Sequence, residues 1–217
     1  MTCKIVINPI IAFANASRTR ISMQIVPYPH PALRWKSAPV TEINEYLRTT
    51  IRKMFDLMYE AKGIGLAANQ VALPWRFFII NLTGDPAETH EELVFINPEI
   101  IKRKGAAEDE EGCLSFPKFY GQVRRAEEVV VEAFDLQGQG FQMKLDELAG
   151  RDIQHETDHL DGILFTDRMS DDLKSQYAPI LAEFEATFRK QQELNLFLSD
   201  EEIRKELTRL ESGPPRP

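Results

Sequence analysis

The sequence predicts an α+β fold rather than alternating β-α units. Two observations carry this expectation. Apolar residues recur at three- and four-residue steps towards both ends of the chain, whereas the middle holds short runs rich in Phe, Ile and Val separated by turn signals.

Taken in order, Pro27, Pro29, Pro31 and Pro39 predict extended coil lying on a surface, because proline disfavours helix at itself and at its predecessor. Thr41 is placed to cap a helix whose apolar face is Ile43, Leu47, Ile51, Met54, Phe55 and Met58, ending near Ala61. Arg76–Leu82 and Leu93–Asn97 read as strands. Val129–Asp135 and Phe141–Leu145 flank Gln137-Gly138-Gln139-Gly140, a hairpin turn. Asp146 should cap a helix running to about Leu160, with Gly162 ending it. Beyond Asp171, Leu173, Tyr177, Ile180, Leu181, Phe184 and Phe188 keep helical spacing. Ser199 and Glu202 form a capping box for a last helix, and Ser212–Pro217 should fray.

The 217 residues suit one domain with extensions: 23–170, an N-terminal extension 1–22 and a C-terminal extension 171–217. Hydrophobic residues at 43% and charged residues at 28% are enough to build a core. The net charge of −8 argues against general nucleic-acid affinity, and no apolar run approaches the ~20 residues that cross a bilayer. Two cysteines, Cys3 and Cys113, share no context, so a reducing compartment is expected and any thiol chemistry rests on one of them. Residues 1–41 contain no acid, and 1–22 fit three readings: an upstream extension with Met23 as a second start, an organellar transit peptide, or a secretion signal.

The strongest chemical signal is His155-Glu156-Thr157-Asp158-His159. Positions four apart share a helix face, so both imidazoles can reach one metal. Glu156, offset by one, suits a general base beside a metal-bound water. A solvated helix carrying two chance histidines is the plain alternative. For a third ligand, His30 and His90 read as surface histidines, and the downstream acids sit on faces that read as solvated. Cys113, in Glu110-Glu111-Gly112-Cys113-Leu114-Ser115, is the best available donor, although a lone cysteine would otherwise read as a small buried hydrophobe. Gly63-Ile64-Gly65-Leu66-Ala67-Ala68-Asn69-Gln70 permits close backbone approach and ends in a donor amide. No Lys-Ser/Thr follows, so it is not a phosphate loop.

These three segments, in this order, resemble the signature motifs of the peptide deformylase family: GIGLAANQ at 63–70, EGCLS at 111–115 and QHETDHLDG at 154–162. The resemblance covers roughly Met23 to Ser170, including Phe116-Pro117, Arg125-Ala126-Glu127 and Asp167-Arg168-Met169-Ser170. It implies antiparallel β-sheets surrounding a central metal-binding helix, to which the apolar periodicity adds an N-terminal helix and, outside the resemblance, a C-terminal helical extension. It implies removal of the formyl group from the N-terminal methionine of new polypeptides, with release of formate. Cys113, His155 and His159 would be the ligands, a metal-bound hydroxide the nucleophile, Glu156 the acid/base, and Gln70 and Leu114 the oxyanion donors. Ile64 and Gly65 would line the peptide path, with Ile64, Leu148 and Glu111 near the methionine side chain and Glu111 facing Arg125. The metal would be Fe2+ in cells, with Zn2+, Ni2+ or Co2+ as substitutes. A bacterial cytoplasmic or an organellar setting, transient proximity to the ribosome, and a monomer or homodimer go with this reading.

Two departures stand out. Thr157 should point away from the metal and affect packing only. Asp152 lies on the metal-facing side, where the family favours small or apolar residues, so it would alter the side-chain pocket or buttress Arg151. The extension from Asp171 carries more acids than bases and reads as amphipathic helix packing on the domain or on another subunit. Two rival readings remain: a zinc endopeptidase, which needs a downstream ligand and leaves Cys113 idle, and a non-catalytic metal site closed by a fourth protein ligand.

Overall fold

A computed structural model describes residues 23–215. The expectations for 1–22 and for Cys3 lie outside the described residues. Among the described residues the architecture is α+β: a five-stranded antiparallel sheet, a two-stranded hairpin and four α-helices.

Helix α1 (Glu45–Glu60) starts three residues later than its sequence signal, because Asn44 rather than Thr41 is the cap: Asn44 Oδ1 accepts from Leu47 N–H at 3.0 Å. The large sheet has the order β1-β2-β3-β6-β7, from β1 (Gly65–Ala67), β2 (Phe77–Ile80), β3 (Leu93–Lys104), β6 (Glu128–Phe134) and β7 (Gly140–Asp146). β3 runs well beyond the expected Asn97. The hairpin of β4 (Ala107–Cys113) and β5 (Phe116–Arg125) was not legible as strands in the sequence.

Both faces of the sheet are covered, which is why β2 is a continuous apolar run. Phe77 and Ile79 join Leu47, Ile51, Met54 and Met58 of α1 on one face. Phe78 and Ile80 point the other way, with Phe95, Val129 and Val131, onto Ile153 and Leu160 of α2 (Glu147–Leu160). Asp146 stands at the cap position of α2 without a side-chain cap bond. At the other end, Gly162, with φ of 72°, permits Ile163 N–H to reach Asp158 O and Gly162 N–H to reach His159 O.

The C-terminal extension folds back on the rest. α3 (Asp171–Glu193), capped by Ser170, brings Leu173, Tyr177, Leu181 and Phe184 onto Phe116, Phe119 and Val123 of the hairpin. α4 (Asp200–Glu211), with the expected Ser199–Glu202 capping box, places Ile203 and Leu207 with Phe188 against Ala32.

Three expectations are corrected here. The proline-rich stretch is not a surface coil: Val26, Ala32 and Leu33 are buried beneath the C-terminal helices. His30 is only 4% exposed, because Phe188 and Phe197 close over it, whereas His90 is a surface residue as expected. The tail does not fray as far as Pro215, whose carbonyl accepts from Asn44 Nδ2 at 2.8 Å.

Candidate metal centre and active site

Three elements converge on one end of α2. The face of α2 that does not pack on the sheet carries Asp152, His155, Glu156 and His159, all buried. The β4–β5 hairpin brings Glu111 and Cys113 to it. β1 and the 3-10 turn that follows it (Ala68–Val71) bring Gly65 and Gln70.

One donor atom each from Cys113, His155 and His159 lies within 4.8 Å of the others, and Cys113 Sγ stands 3.2 Å from His159 Nε2. Burial opposes ionisation of Cys113, yet His159 and His155 outweigh it and bring the thiol down to about 6. Burial would lower His155, but its contacts with Cys113 and Glu111 hold it well above the usual histidine range. The two shifts reinforce each other: negative charge on the thiol and positive charge on His155 each favour the other in this buried pocket. One sulfur and two nitrogens at this spacing fit a divalent metal of borderline softness.

Glu111 organises His155. Its Oε2 lies 3.1 Å from His155 Nδ1, which leaves Nε2 for the ligand cluster. Arg125 grips the same carboxylate from Nε at 2.6 Å and Nη2 at 2.9 Å, and Arg151 adds a bond of 2.6 Å. Burial alone would raise Glu111, but the bonds from His155 and Arg125 win and bring it to about 2. The expected Glu111–Arg125 pair is therefore present. Arg151 goes to Glu111, Val123 O and Ala107 O rather than to Asp152, which corrects the buttress reading.

Gln70 is oriented by its own turn. Its Oε1 accepts from Ala67 N–H at 2.8 Å, so the amide nitrogen faces the cluster, 3.4 Å from both Cys113 Sγ and Ser115 Oγ. Glu156 Oε2, Asp152 Oδ2 and His159 Nδ1 are buried with no hydrogen-bond partner. Burial pushes both the Asp152 and the Glu156 carboxyls upward. These two carboxylates crowd Gly65: a Cβ there would come within 2.8 Å of an oxygen of each.

The structure gives the other predicted site residues less definition. Ile64 and Leu114 are partly buried, and Leu148, at 54% exposure, opens to solvent on the first turn of α2. Thr157 is buried, as a packing residue should be. Sequence reading missed Asp158, which receives Arg125 Nη1 at 2.7 Å and Arg168 Nη2 at 2.6 Å and so extends the ionic network behind the ligands. It also missed Asn69, whose amide donates to His159 O and ties the Gln70 turn to α2. Both lie inside segments the sequence had singled out, Asp158 one residue before His159 and Asn69 one residue before Gln70, so the signal was available for each.

A helix supplying two imidazoles, a hairpin supplying a thiol and a buried glutamate beside them together define a metal-dependent hydrolase. The family model of polypeptide deformylase matches residues 22–175. The chain belongs to that family. It is 44% identical over 170 residues to a peptide deformylase of Rhodopirellula baltica, covering 78% of this chain and 84% of the relative. It is 38% identical over 194 residues to the chloroplastic/mitochondrial peptide deformylase 1B of Arabidopsis thaliana, covering 89% and 70%. Among solved structures, peptide deformylase from Plasmodium falciparum superposes with a TM-score of 0.74 at 39% identity, covering 77% of this chain and 98% of that one. Among the described residues no helix is long and apolar enough to cross a membrane.

Proposed function

We propose that the chain hydrolyses the formyl group from the N-terminal methionine of newly made polypeptides. The observation that carries this reading is the closeness of the Gln70 amide to the Cys113–His155–His159 cluster, with Glu156 buried alongside. A protease built on the same helix would have no use for that cysteine and that amide.

Cys113, His155 and His159 would hold the metal. When bound, a divalent metal supplies Lewis acidity and an acidified water at neutral pH. Glu156 takes a proton from the attacking water and passes it to the departing amine nitrogen, so that the C–N bond breaks and formate leaves. The Gln70 amide and the Leu114 backbone N–H donate to the formyl oxygen as it gains charge, each donor worth about 3 kcal/mol in the transition state. Gly65 and Ile64 line the path of the peptide, and Leu148 and Glu111 flank the methionine side chain. Gly65 suits this role because a side chain there would collide with the carboxylates.

Fe2+ is the proposed resident metal, with Zn2+, Ni2+ and Co2+ able to replace it; one thiolate and two imidazoles accommodate all four. Residues 23–170 form the catalytic domain and 171–217 an extension. The setting is the bacterial cytoplasm or an organelle, near the ribosome, as monomer or homodimer; relatives from bacteria and from plant organelles support either compartment.

The test is formate release by anaerobically purified protein from formyl-methionyl peptides, with acetylated peptides as control and metal content measured in parallel. Glu156→Gln should keep its metal and lose activity. Full activity in Cys113→Ala would overturn the reading.

A further inference from the structure

One short stretch of chain is hydrogen-bonded to each of the three segments that build the site. Val26 N–H donates to Gln70 O at 2.8 Å, Tyr28 N–H to Ser115 O at 2.9 Å, and Ser37 N–H to Leu160 O at 2.8 Å. The acceptors belong to the turn that aims the Gln70 amide, to the residue after Leu114, and to the residue after His159. Tyr28 also stacks on Phe116, with ring centroids 4.7 Å apart. The strap 26–37 therefore spans the back of the site.

Its other side is covered by the C-terminal helices. Tyr28 Oη donates to Glu185 of α3 at 2.7 Å. His30 meets the rings of Phe188 and Phe197 edge-on, at 5.8 and 5.7 Å. Ala32 is sealed by Phe188, Ile203 and Leu207. The last three come from α3 and α4, so the two helices close on the strap together. The strap's own backbone bonds are those of short turns, such as the 3-10 turn Pro31–Arg34, and none of them involves the amides of Val26, Tyr28 and Ser37, which stripped of the helices would exchange partners with water.

We infer that the α3–α4 pair is a clamp that acts through the strap to hold the Gln70 and Leu114 donors in register with the metal ligands. Tyr28, His30 and Phe188 are then positioning residues for the reaction. The inference rests on the reading of Gln70 and Leu114 as oxyanion donors. Such donors act only when aimed at the place where charge develops, and a displacement of about 1 Å costs on the order of 100-fold in rate. A loosened strap should therefore lower kcat and leave KM nearly unchanged.

The test uses the full-length, metal-loaded chain. In Phe188→Ala, amide exchange at Val26, Tyr28 and Ser37 should quicken roughly tenfold, and kcat on a formyl-methionyl peptide should fall about five- to tenfold, with KM within about twofold and metal content unchanged. Phe188→Leu, which refills the volume, should recover most of both losses. Tyr28→Phe removes one hydrogen bond and no packing, and should lower kcat about two- to threefold; it decides the matter if Phe188→Ala fails to fold. A normal kcat in a variant whose strap amides exchange faster would overturn the clamp, as would unchanged exchange at those amides in every variant. Gln70→Ala in the same assay separates the two readings. If it keeps its kcat, the donor assignment has failed; if it is inactive while the clamp variants are normal, only the clamp has failed.

Discussion

Glu111 reaches His155 from behind, Oε2 to Nδ1 at 3.1 Å, while its other oxygen is held by Arg125 and Arg151. A ring held this way can present only its far nitrogen to the ligand cluster. Partners of this kind typically carry 10–100-fold in metal affinity. Glu111→Gln should therefore weaken metal binding by roughly that factor, measured by competition with a chromophoric chelator. Undiminished affinity would show that the contact does not orient the ring. Glu111→Ala should also lower thermal stability, since it strips Arg125, 4% exposed, of its carboxylate partner in the hairpin.

Gly65 is a second point of sensitivity. A methyl there would press on Asp152 and Glu156, both buried and unable to swing into solvent. Gly65→Ala should cut kcat/KM about tenfold or more, while the melting temperature moves by only a few degrees, about the shift that 1 kcal/mol produces. Steady-state kinetics beside a thermal melt checks this. Unchanged kinetics would mean that the carboxylates have room to yield.

Asp152 is a buried carboxyl with an unpartnered oxygen, and its pKa lies above the ordinary 3.8. A carboxyl raised in the folded state costs stability once the unfolded chain can ionise. The cost is absent below about pH 3.8 and grows as the pH rises above it. Asp152→Ala should therefore stabilise metal-free protein at pH 7 by about 1–3 kcal/mol, and the gain should vanish in acid. Denaturant unfolding at several pH values measures the difference. A destabilised variant at neutral pH would show that the carboxylate is held by something other than its neighbours here.

His30 has the opposite pH signature to an ion-paired histidine. Burial lowers its pKa from 6.5 to about 4, with Asp200 opposing the shift. The unfolded chain then takes up a proton that the folded chain refuses, so stability is lost as pH falls from about 6.5 towards about 4. The loss has an upper bound of roughly 3 kcal/mol. His30→Gln should flatten the stability curve across that window relative to the parent. Parallel curves for the two proteins would sink this assignment.

Much of the site was legible because the information is local. His155, Glu156 and His159 lie on one helix face, and i, i+4 spacing can be read without any fold. The helices and the strands β2, β6 and β7 followed from apolar patterning and caps, down to the continuous run of β2, whereas β1 lay hidden in the Gly- and Ala-rich segment 63–70 and β3 runs past its apolar residues to Lys104. The β4–β5 hairpin was hidden because its outward faces are charged, as in Glu108-Asp109-Glu110, and its apolar side becomes apparent only once α3 covers it.

Residue types and their order along the chain thus determined the two imidazoles, the acid/base candidate and the α+β class, since all of these are written in short-range spacing; Cys113, distant in sequence, was marked by its own motif instead. Tertiary structure decided the rest: the burial of His30, the reach of Glu111 to His155, the approach of Cys113 to the Gln70 amide and the strap beneath α3 and α4. Each depends on partners dozens of residues apart or more, whose meeting is set by which apolar faces pack together. No local pattern records that choice, because the same spacing is compatible with many ways of closing the chain.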